Sequence, residues 1–406
     1  MKIWHPYTQE GIDGAPIEIE RGEGAYLFTR DGRRLIDAIS SWWINLHGHA
    51  HPRIADAIAA QARKLEHVIF AGFTHEPAEE LSARLAKFLP SSMTRIFFSD
   101  NGSTAVEVAM KMAVQYWHNS GRREKHRIVS LEHAYHGDTI GAMSVSDDSP
   151  FTEAFRSLRI PSLRVRGADD LERMLASQHR EIAAMIVEPL VQGAGGMLVY
   201  SPELLKRYRE LCTAHDVLFI ADEVFTGFGR TGRMFACEHA GIVPDMMCLS
   251  KGLTGGFMPL AATVAGEKIY EAFYSKDRSR AFFHGHSFSG NPLGCAAAIA
   301  SLGIFESEPV FDRIAAIENI HRQRLAVLKT HPAVADVRML GTIAAIELKA
   351  ADAGYLSNLR AHLYPFFIEQ GVLLRPLGNI IYTVPPFITS KDDLNCIYDI
   401  IVRAFE

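Results

Sequence analysis

Residues 217–223 read VLFIADE, five apolar residues followed by two carboxylates. Four further short apolar runs occur in the middle of the chain: RIFFSD at 95–100, RIVSL at 127–131, AAMIVEP at 183–189 and DMMCLSK at 245–251. Longer stretches with apolar residues at helical spacing lie among them. Apolar runs without polar alternation are typical of strands buried on both faces, and strands that alternate with helices form parallel sheets. The sequence therefore predicts an α/β protein with a mostly parallel central sheet.

The two ends of the chain read differently from the middle. Residues 15–39 contain short strand-like pieces around Asp31-Gly32, a pair that favours a hairpin turn. From about residue 305 onward, amphipathic helices alternate with strand-like pieces such as VADVRMLGTIAAIEL. We predict that residues 1–40 and 305–406 join into a smaller α+β domain beside a large domain of residues 41–304.

Composition excludes several classes of function. The chain has 406 residues, 48% of them apolar, and a net charge of -5, which is ordinary for a globular protein and gives no reason to expect nucleic acid. No apolar run reaches the roughly 18 residues of a membrane span. The five scattered cysteines and the lack of a secretion-signal pattern predict reduced thiols and a cytoplasmic location.

Polar residues follow the predicted strands where ligands bind in open α/β sheets, at the carboxyl ends. Lys251 ends one run and precedes the glycine-rich GLTGG. A lysine in a dry pocket can act as a nucleophile, although most lysines in such loops are simply exposed. Asp222 ends the most apolar run, where a carboxylate needs a cationic partner or serves as a helix cap. Together the pair suits pyridoxal phosphate (PLP), which needs a lysine and an acid at its ring nitrogen.

A phosphate would also need an anion site. Gly102 and Ser103 stand at the start of a predicted helix, whose free N–H groups favour an anion, and serine capping is compatible with that role. Tyr135 follows another strand and can stack on a flat ring, although a tyrosine with no such neighbours is more often a core residue. Three strand ends thus offer what PLP requires.

Longer motifs carry a family resemblance. LFIADEVFTGFGRTG (218–232), DMMCLSKGLTGGFMPLAA (245–262), NGSTAVEVAMKMA (101–113), AYHGDT (134–139), VEPLVQGAGGM (187–197) and FHGHSFSGNPLGCAAA (283–298) follow one another in the family's arrangement over nearly the whole chain. With them the sequence resembles the class III aminotransferases of PLP fold type I. The resemblance implies that Lys251 bonds to PLP and moves a proton, that Asp222 pairs with the ring nitrogen, and that Gly102 and Ser103 hold the phosphate.

The resemblance also implies a homodimer with shared active sites. Ser287 would reach the phosphate from the partner subunit, beside Gly285 at the substrate. The family usually has Pro-Thr where this chain has His286-Ser287. Serine keeps the hydroxyl, whereas histidine adds bulk and removes a rigid turn.

Three further motifs, WHPYTQ (4–9), SSWWINLHGHAHP (40–52) and LLRPLGNIIYTVPP (373–386), resemble the members of this class that act in biotin biosynthesis. Those members transfer the amino group of S-adenosylmethionine to 8-amino-7-oxononanoate in a ping-pong reaction. The resemblance implies a substrate tunnel with these lining or binding residues: Tyr7 at its mouth, Trp42, Trp43, Tyr135, Lys251, Gly285, Arg375 for a carboxylate, and Arg230 as a second candidate. Trp4 and Pro6 are expected to strap the terminus to the core.

Other interpretations stay open at this point. A different class III ω-aminotransferase would act on 4-aminobutyrate, ornithine or a diamine, and lysine could replace S-adenosylmethionine as donor. The same cofactor motifs also suit an isomerase, a decarboxylase or a catalytically dead binding protein. The histidines of HGHAH (47–51) and HGH (284–286) lack accompanying carboxylates or cysteines, so we predict no metal site.

Overall fold

The computed structural model describes residues 3–350 and 359–405. Its helices are α1 (Glu10–Asp13), α2 (Ser40–Trp43), α3 (Pro52–Ala62), α4 (Glu76–Leu85), α5 (Gly102–Asn119), α6 (Ile140–Val145), α7 (Ala168–Gln178), α8 (Pro202–Ala214), α9 (Glu267–Glu271), α10 (Pro292–Ser307), α11 (Val310–Leu328), α12 (Leu359–Glu369) and α13 (Lys391–Arg403). Its strands are β1 (Ile19–Glu23), β2 (Tyr26–Thr29), β3 (Arg34–Asp37), β4 (Met93–Ser99), β5 (Arg127–Leu131), β6 (Leu163–Val165), β7 (Ile182–Val187), β8 (Val191–Gln192), β9 (Leu198–Val199), β10 (Leu218–Asp222), β11 (Met246–Leu249), β12 (Ala261–Gly266), β13 (Val334–Leu340), β14 (Ile343–Leu348), β15 (Val372–Leu373) and β16 (Ile380–Thr383).

The central sheet has seven strands in the order β4-β12-β11-β10-β7-β5-β6. All five apolar runs named above form strands of this sheet, and β10 is parallel to both β7 and β11. The predicted α/β fold with a mostly parallel sheet is therefore confirmed. The exception is β12, which the sequence analysis did not predict and which runs antiparallel to both β11 and β4.

Burial explains why these runs need no polar alternation. Every residue of β7 and of β10 is buried, because helices cover both faces of the sheet. The long helix α5 packs on one face through Ala105, Ala109, Ala113 and Trp117. The Trp117 indole N–H also donates to the carbonyl of Ala183 at 2.8 Å, which ties α5 to β7. The strand ends are thus fixed rigidly relative to the start of α5.

Both chain ends contribute to one smaller sheet, β1-β2-β3-β15. The turn at Asp31-Gly32 is confirmed, since β2 and β3 pair antiparallel around it and Gly32 has φ +86°. β15 pairs parallel to β3, with Val372 opposite Ile36. A second small sheet, β13-β14-β16, comes from the C-terminal part alone. The domain division at residues 40 and 305 stays a prediction, and residues 1–2, 351–358 and 406 of the predicted small domain lie outside the described chain.

The helices of the described residues are too short or too polar to span a membrane singly. α10 and α11 meet the length and composition test only as a pair, and they bend by 78° at the break between them.

Candidate active site

A cavity of about 710 Å³ lies at the carboxyl ends of the central strands. Its wall includes residues that follow five different strands: Ser103, Tyr135, Glu188, Asp222 and Lys251. Because parallel strands end at the same sheet edge, distant parts of the chain meet here. The convergence of polar strand ends inferred from the sequence is present in the structure.

Lys251 begins a short 3₁₀ turn, Lys251–Thr254, directly after β11. Its ammonium nitrogen Nζ lies 4.7 Å from the ring centroid of Trp43 and 5.5 Å from that of Phe225. Burial lowers the pKa of Lys251 to about 8, while the charges of Asp222 and Glu188 act in the opposite direction. About a tenth of this lysine is therefore neutral at pH 7, far more than for an ordinary lysine, and able to act as a nucleophile or base.

Asp222 is 4% exposed and is oriented by two contacts. His136 Nδ1 lies 2.7 Å from Asp222 Oδ2, and the backbone N–H of Val224 donates to Oδ1 at 3.1 Å. The imidazole of His136 is itself buried, so water does not compete for the carboxylate. The sequence analysis missed this contact, although His136 lies in the quoted AYHGDT motif. The pair holds an oriented, buried carboxylate at the bottom of the cavity.

Glu188 is a second buried carboxylate in the cavity wall. It accepts hydrogen bonds from the backbone N–H groups of Tyr135 and Gly193, both at 2.9 Å. Burial raises the pKa of Glu188 to about 7. Glu188 therefore fixes the backbone at Tyr135, and burial also raises the pKa of the Tyr135 phenol. Tyr135 consequently presents a neutral ring to the cavity.

The first turn of α5 forms the predicted anion site. Asn101 is its N-cap and accepts from the backbone N–H of Thr104 at 3.1 Å. A Cβ on Gly102 would lie 2.6 Å from Val224 Cγ1, so the close approach of this turn to the end of β10 requires glycine. Ser103 Oγ accepts from the backbone N–H of Asp138 at 3.2 Å. Backbone N–H groups at this helix start can hold a phosphate.

Aromatic and charged side chains from both chain ends surround the mouth of the cavity. The Tyr7 phenol donates to the carboxylate of Asp138, and the Tyr7 ring centroid lies 5.5 Å from that of Trp42. Phe151 contacts the Tyr7 ring edge-on at 5.7 Å. Arg375 donates to the Tyr7 carbonyl at 3.2 Å, and its guanidinium lies 5.0 Å from the Trp42 ring centroid. These residues line the same cavity as Lys251.

Other candidate residues lie outside this cavity. Gly285, His286 and Ser287 belong to a loop before α10 that does not line the cavity of its own chain. His286 Nδ1 lies 3.8 Å from a carboxylate oxygen of Asp100 at the cavity edge. Trp4 is 92% exposed in the single chain, so it does not strap the terminus to this core as we expected.

Arg230 is fully buried behind the cavity wall. Its two Nη groups donate to the backbone carbonyls of Pro385, Trp43 and Asn45 at 2.9–3.3 Å. These hydrogen bonds all go to backbone carbonyls, the guanidinium lies 5.1 Å from the Phe387 ring centroid, and Arg230 does not line the cavity. The role of Arg230 toward a substrate therefore stays a prediction, and Arg375 is a guanidinium that lines the cavity.

The geometry agrees with the comparison to known proteins. The family model described as "Aminotransferase class-III" matches residues 7–405. The chain belongs to the class III aminotransferases. It is 49% identical to an adenosylmethionine-8-amino-7-oxononanoate aminotransferase of Synechococcus elongatus, over 98% of this chain and 96% of the relative.

Solved structures of two other aminotransferases share the fold. An adenosylmethionine-8-amino-7-oxononanoate aminotransferase from Methanocaldococcus jannaschii has 36% identity and a TM-score of 0.95, covering 99% of this chain and 96% of that one. An amine transaminase from an uncultivated Pseudomonas species, with PLP bound, has 32% identity and a TM-score of 0.93, covering 100% and 98%. Fold type I is therefore confirmed for this class III aminotransferase.

The cofactor of this class III aminotransferase is PLP, and the cavity residues fit it. Lys251 has the lowered pKa that bond formation to an aldehyde needs. Asp222 is a buried carboxylate available to a ring nitrogen, and the α5 start at Gly102 and Ser103 suits a phosphate. Tyr135 lines the cavity with them.

Proposed function

We propose that this aminotransferase moves the amino group of S-adenosylmethionine to 8-amino-7-oxononanoate and so makes 7,8-diaminononanoate, a step of biotin biosynthesis. The names of the Synechococcus and Methanocaldococcus relatives support the choice. The structural observation that carries it is the cavity mouth built from Tyr7, Trp42 and Arg375.

The chemistry of that mouth suits both substrates. S-adenosylmethionine carries an adenine and a sulfonium cation, and aromatic faces such as those of Tyr7 and Trp42 attract both stacking rings and cations. The apolar chain of 8-amino-7-oxononanoate can be covered by the same rings. Each substrate also has a carboxylate, for which the guanidinium fork of Arg375 is suited.

When bound, PLP supplies an electron-accepting ring that allows the Cα–H bond of an amino donor to break. Lys251 would move this proton, because its Nζ lies in the same cavity and burial lowers its pKa to about 8. Asp222, whose carboxylate is oriented by His136, would pair with the ring nitrogen. Glu188 and Tyr135 line the same cavity and are joined by the hydrogen bond from the Tyr135 backbone N–H to the Glu188 carboxylate.

We further propose a cytoplasmic homodimer in which Gly285, His286 and Ser287 of one protomer line the cavity of its partner. The loop that carries them exposes Phe283 (70%) and Phe288 (61%), apolar surface that a partner would cover. The five cysteines are all free thiols, which agrees with a reducing compartment.

Separate half-reactions test the proposed substrates. We expect S-adenosylmethionine alone to abolish the visible absorption band of the PLP-loaded enzyme, and 8-amino-7-oxononanoate to restore it. 4-Aminobutyrate, ornithine and L-lysine serve as competing donors. Loss of the band with 4-aminobutyrate or ornithine but not with S-adenosylmethionine would replace the proposal with a general ω-aminotransferase, which the likeness to the Pseudomonas amine transaminase favours. Loss of the band with L-lysine alone would make lysine the amino donor in place of S-adenosylmethionine. The acceptor 8-amino-7-oxononanoate would then be tested separately.

A further inference from the structure

The Ile39–Asn45 turn, which contains the short element α2 and carries Trp42 and Trp43, has a strained backbone. Ser40 has φ +51°, Ser41 has φ +59° with ψ -75°, and Trp43 has φ +65°. Residues with a Cβ rarely adopt positive φ, because it is strained, and they keep it only where the surrounding structure holds them there. Three of four consecutive residues share this property within a wall of the substrate cavity. Something adjacent must therefore hold the turn.

Asp37, at the end of β3, holds the amino-terminal side of the turn. Its carboxylate is completely buried and accepts from the backbone N–H of Ile39 at 3.2 Å and from that of Ser41 at 2.7 Å. The Ser41 hydroxyl donates to the same carboxylate at 3.1 Å. His49 Nε2 lies 2.8 Å from Asp37 Oδ2 and fixes the carboxylate from the other side.

Arg230 holds the carboxyl-terminal side of the same turn. Its Nη2 donates to the carbonyls of Trp43 at 3.3 Å and Asn45 at 2.9 Å. Burial lowers the pKa of Arg230 to about 9, and the charge of Asp37 opposes that effect. The two buried charges thus act on one another across the turn. Asp37 binds backbone N–H groups of the turn, and Arg230 binds backbone carbonyls of the turn.

We propose that Asp37 is a specificity-determining positioning residue, which together with Arg230 holds the Ile39–Asn45 turn in the strained form that sets Ser41, Trp42 and Trp43 against the substrate. Asp37 itself does not line the cavity, whereas Ser41, Trp42 and Trp43 do. Its effect on the reaction is exerted through the turn. The choice of S-adenosylmethionine as the probe below rests on the proposed function.

The alternative is that Asp37 is an ordinary buried cap that contributes only to stability. The two roles differ in what a substitution changes. A stability role predicts an earlier thermal transition with unchanged kinetics of the folded enzyme. A positioning role predicts weaker substrate binding by an enzyme that still folds and still holds PLP.

The test compares Asp37→Asn with Asp245→Asn in the PLP-loaded enzyme. Asp245 is a matched control because its carboxylate also accepts a backbone N–H, that of Phe219, and pairs with an arginine, Arg209. It precedes β11, whereas the cavity lies beyond that strand's carboxyl end.

For Asp37→Asn we expect the S-adenosylmethionine concentration at half-maximal half-reaction rate to rise about 10- to 100-fold, the effect of losing a hydrogen bond to a charged group. The rate at saturation should fall less than about threefold if only uniform substrate binding is lost.

Hydrogen exchange supplies a readout independent of activity. In Asp37→Asn the amides of residues 39–45 should exchange at least about tenfold faster, while those of β7 and β10 stay protected. Asp245→Asn should leave both the kinetic constants and the exchange of residues 39–45 unchanged. Wild-type half-saturation in Asp37→Asn, or an equal increase in Asp245→Asn, would overturn the proposal.

His49→Gln keeps the test decisive if Asp37→Asn fails to fold. This substitution leaves the Asp37 carboxylate and its contacts to Ile39 and Ser41 in place, and removes only the imidazole. The half-saturating concentration should rise about threefold, below the effect of losing the whole carboxylate. An unchanged value in His49→Gln would then overturn the proposal. If the wild-type enzyme rejects S-adenosylmethionine, the proposed function fails by itself, and the same comparison is made with the donor that the wild type accepts.

Discussion

At the scale of single residues, the pKa values of two lysines are lowered to the same extent, but the two lysines differ in their surroundings. Burial lowers the pKa of Lys125 to about 8, the same value as for Lys251. Lys125 Nζ donates to the carbonyl of His179 at 2.9 Å and lies 4.5 Å from the Trp117 ring centroid. It does not line the active-site cavity. A lowered pKa therefore marks a reactive lysine only where a substrate can reach it.

The lowered pKa of Lys251 predicts how the apoprotein takes up PLP. Only the neutral amine attacks the aldehyde, so the uptake rate should rise about tenfold per pH unit below pH 8 and level off above it. For a lysine of ordinary pKa, the rise would continue to about pH 10.4. Stopped-flow absorbance from pH 6 to 10 measures the rate, with Nα-acetyl-lysine as the unperturbed control. A rate that still climbs at pH 10 would contradict the shift.

Substitution separates the two lysines directly. Lys251→Ala should abolish the visible band of covalently bound PLP and lower turnover by at least about 10²–10⁴-fold, the usual contribution of a positioned acid–base group. Lys125→Met removes an equally shifted amine from outside the cavity, so it should retain the band and most of the turnover. Absorbance spectra and steady-state rates measure both effects. Retention of the band and turnover by Lys251→Ala would remove this lysine from the mechanism.

At the scale of secondary structure, the contact between the start of α5 and the end of β10 sets the anion site. Gly102→Ala introduces a Cβ 2.6 Å from Val224 Cγ1. We expect the dissociation constant of PLP to rise about 5- to 150-fold, because overpacking of this kind costs about 1–3 kcal/mol and displaces the helix start. Absorbance titration of the apoprotein with PLP measures the constant.

A second substitution shows whether that contact is the cause. Val224→Ala, added to Gly102→Ala, removes the opposing methyl groups and should restore at least half of the lost binding free energy. Gly167→Ala is the matched control, since Gly167 likewise lies at a helix start, as the N-cap of α7, but a Cβ there meets nothing within 4 Å. Equal losses in Gly102→Ala and Gly167→Ala would mean that the loss of glycine, and not the contact, weakens PLP binding.

The same scale shows what could be predicted from the sequence. Fully apolar runs such as residues 218–221 identify buried strands because burial on both faces leaves a direct trace in composition. The sequence Ala261–Gly266 of β12 does not reveal that this strand is antiparallel, because its mostly apolar composition would be the same for either strand direction. Ser103, Tyr135, Asp222 and Lys251 were found through motifs at strand ends, whereas Tyr7, Trp42 and Arg375 were implied by the family resemblance alone. By contrast, the contacts of Asp37 and the strain at Ser41 arise from tertiary packing and have no local signature.

At the scale of the whole molecule, the proposed shared site predicts complementation between two inactive variants. Ser287→Asp should inactivate the enzyme by repelling the phosphate, and Lys251→Ala inactivates it by removing the amine. In a mixture that exchanges subunits at random, half of the dimers are mixed. Each mixed dimer then has one site with an intact Lys251 and an intact Ser287 from the partner, so about a quarter of all sites should become active.

Turnover of the mixed sample, compared with each variant alone, measures this recovery. Mixing Lys251→Ala with Asp222→Asn is the negative control, since both residues line the cavity of the same chain and this pair should regain nothing even when subunits exchange. A Ser287→Asp mixture that stays inactive despite proven subunit exchange would show that Ser287 acts within its own chain. The site would then not be shared through this loop.

The pairing of both chain ends also constrains synthesis of the protein. The Thr383 hydroxyl donates to the carbonyl of Ala38, a residue 345 positions earlier in the chain. At typical translation speeds of about 5–20 residues per second, β3 waits roughly 20–70 s on the ribosome before its β15 partner emerges. During that interval the edge of β3 is exposed and can pair with other strands. An mRNA on which ribosomes pause before they reach β15 should therefore yield more aggregated protein. A circular permutant in which β15 is synthesised soon before or after β3 should need less help from chaperones.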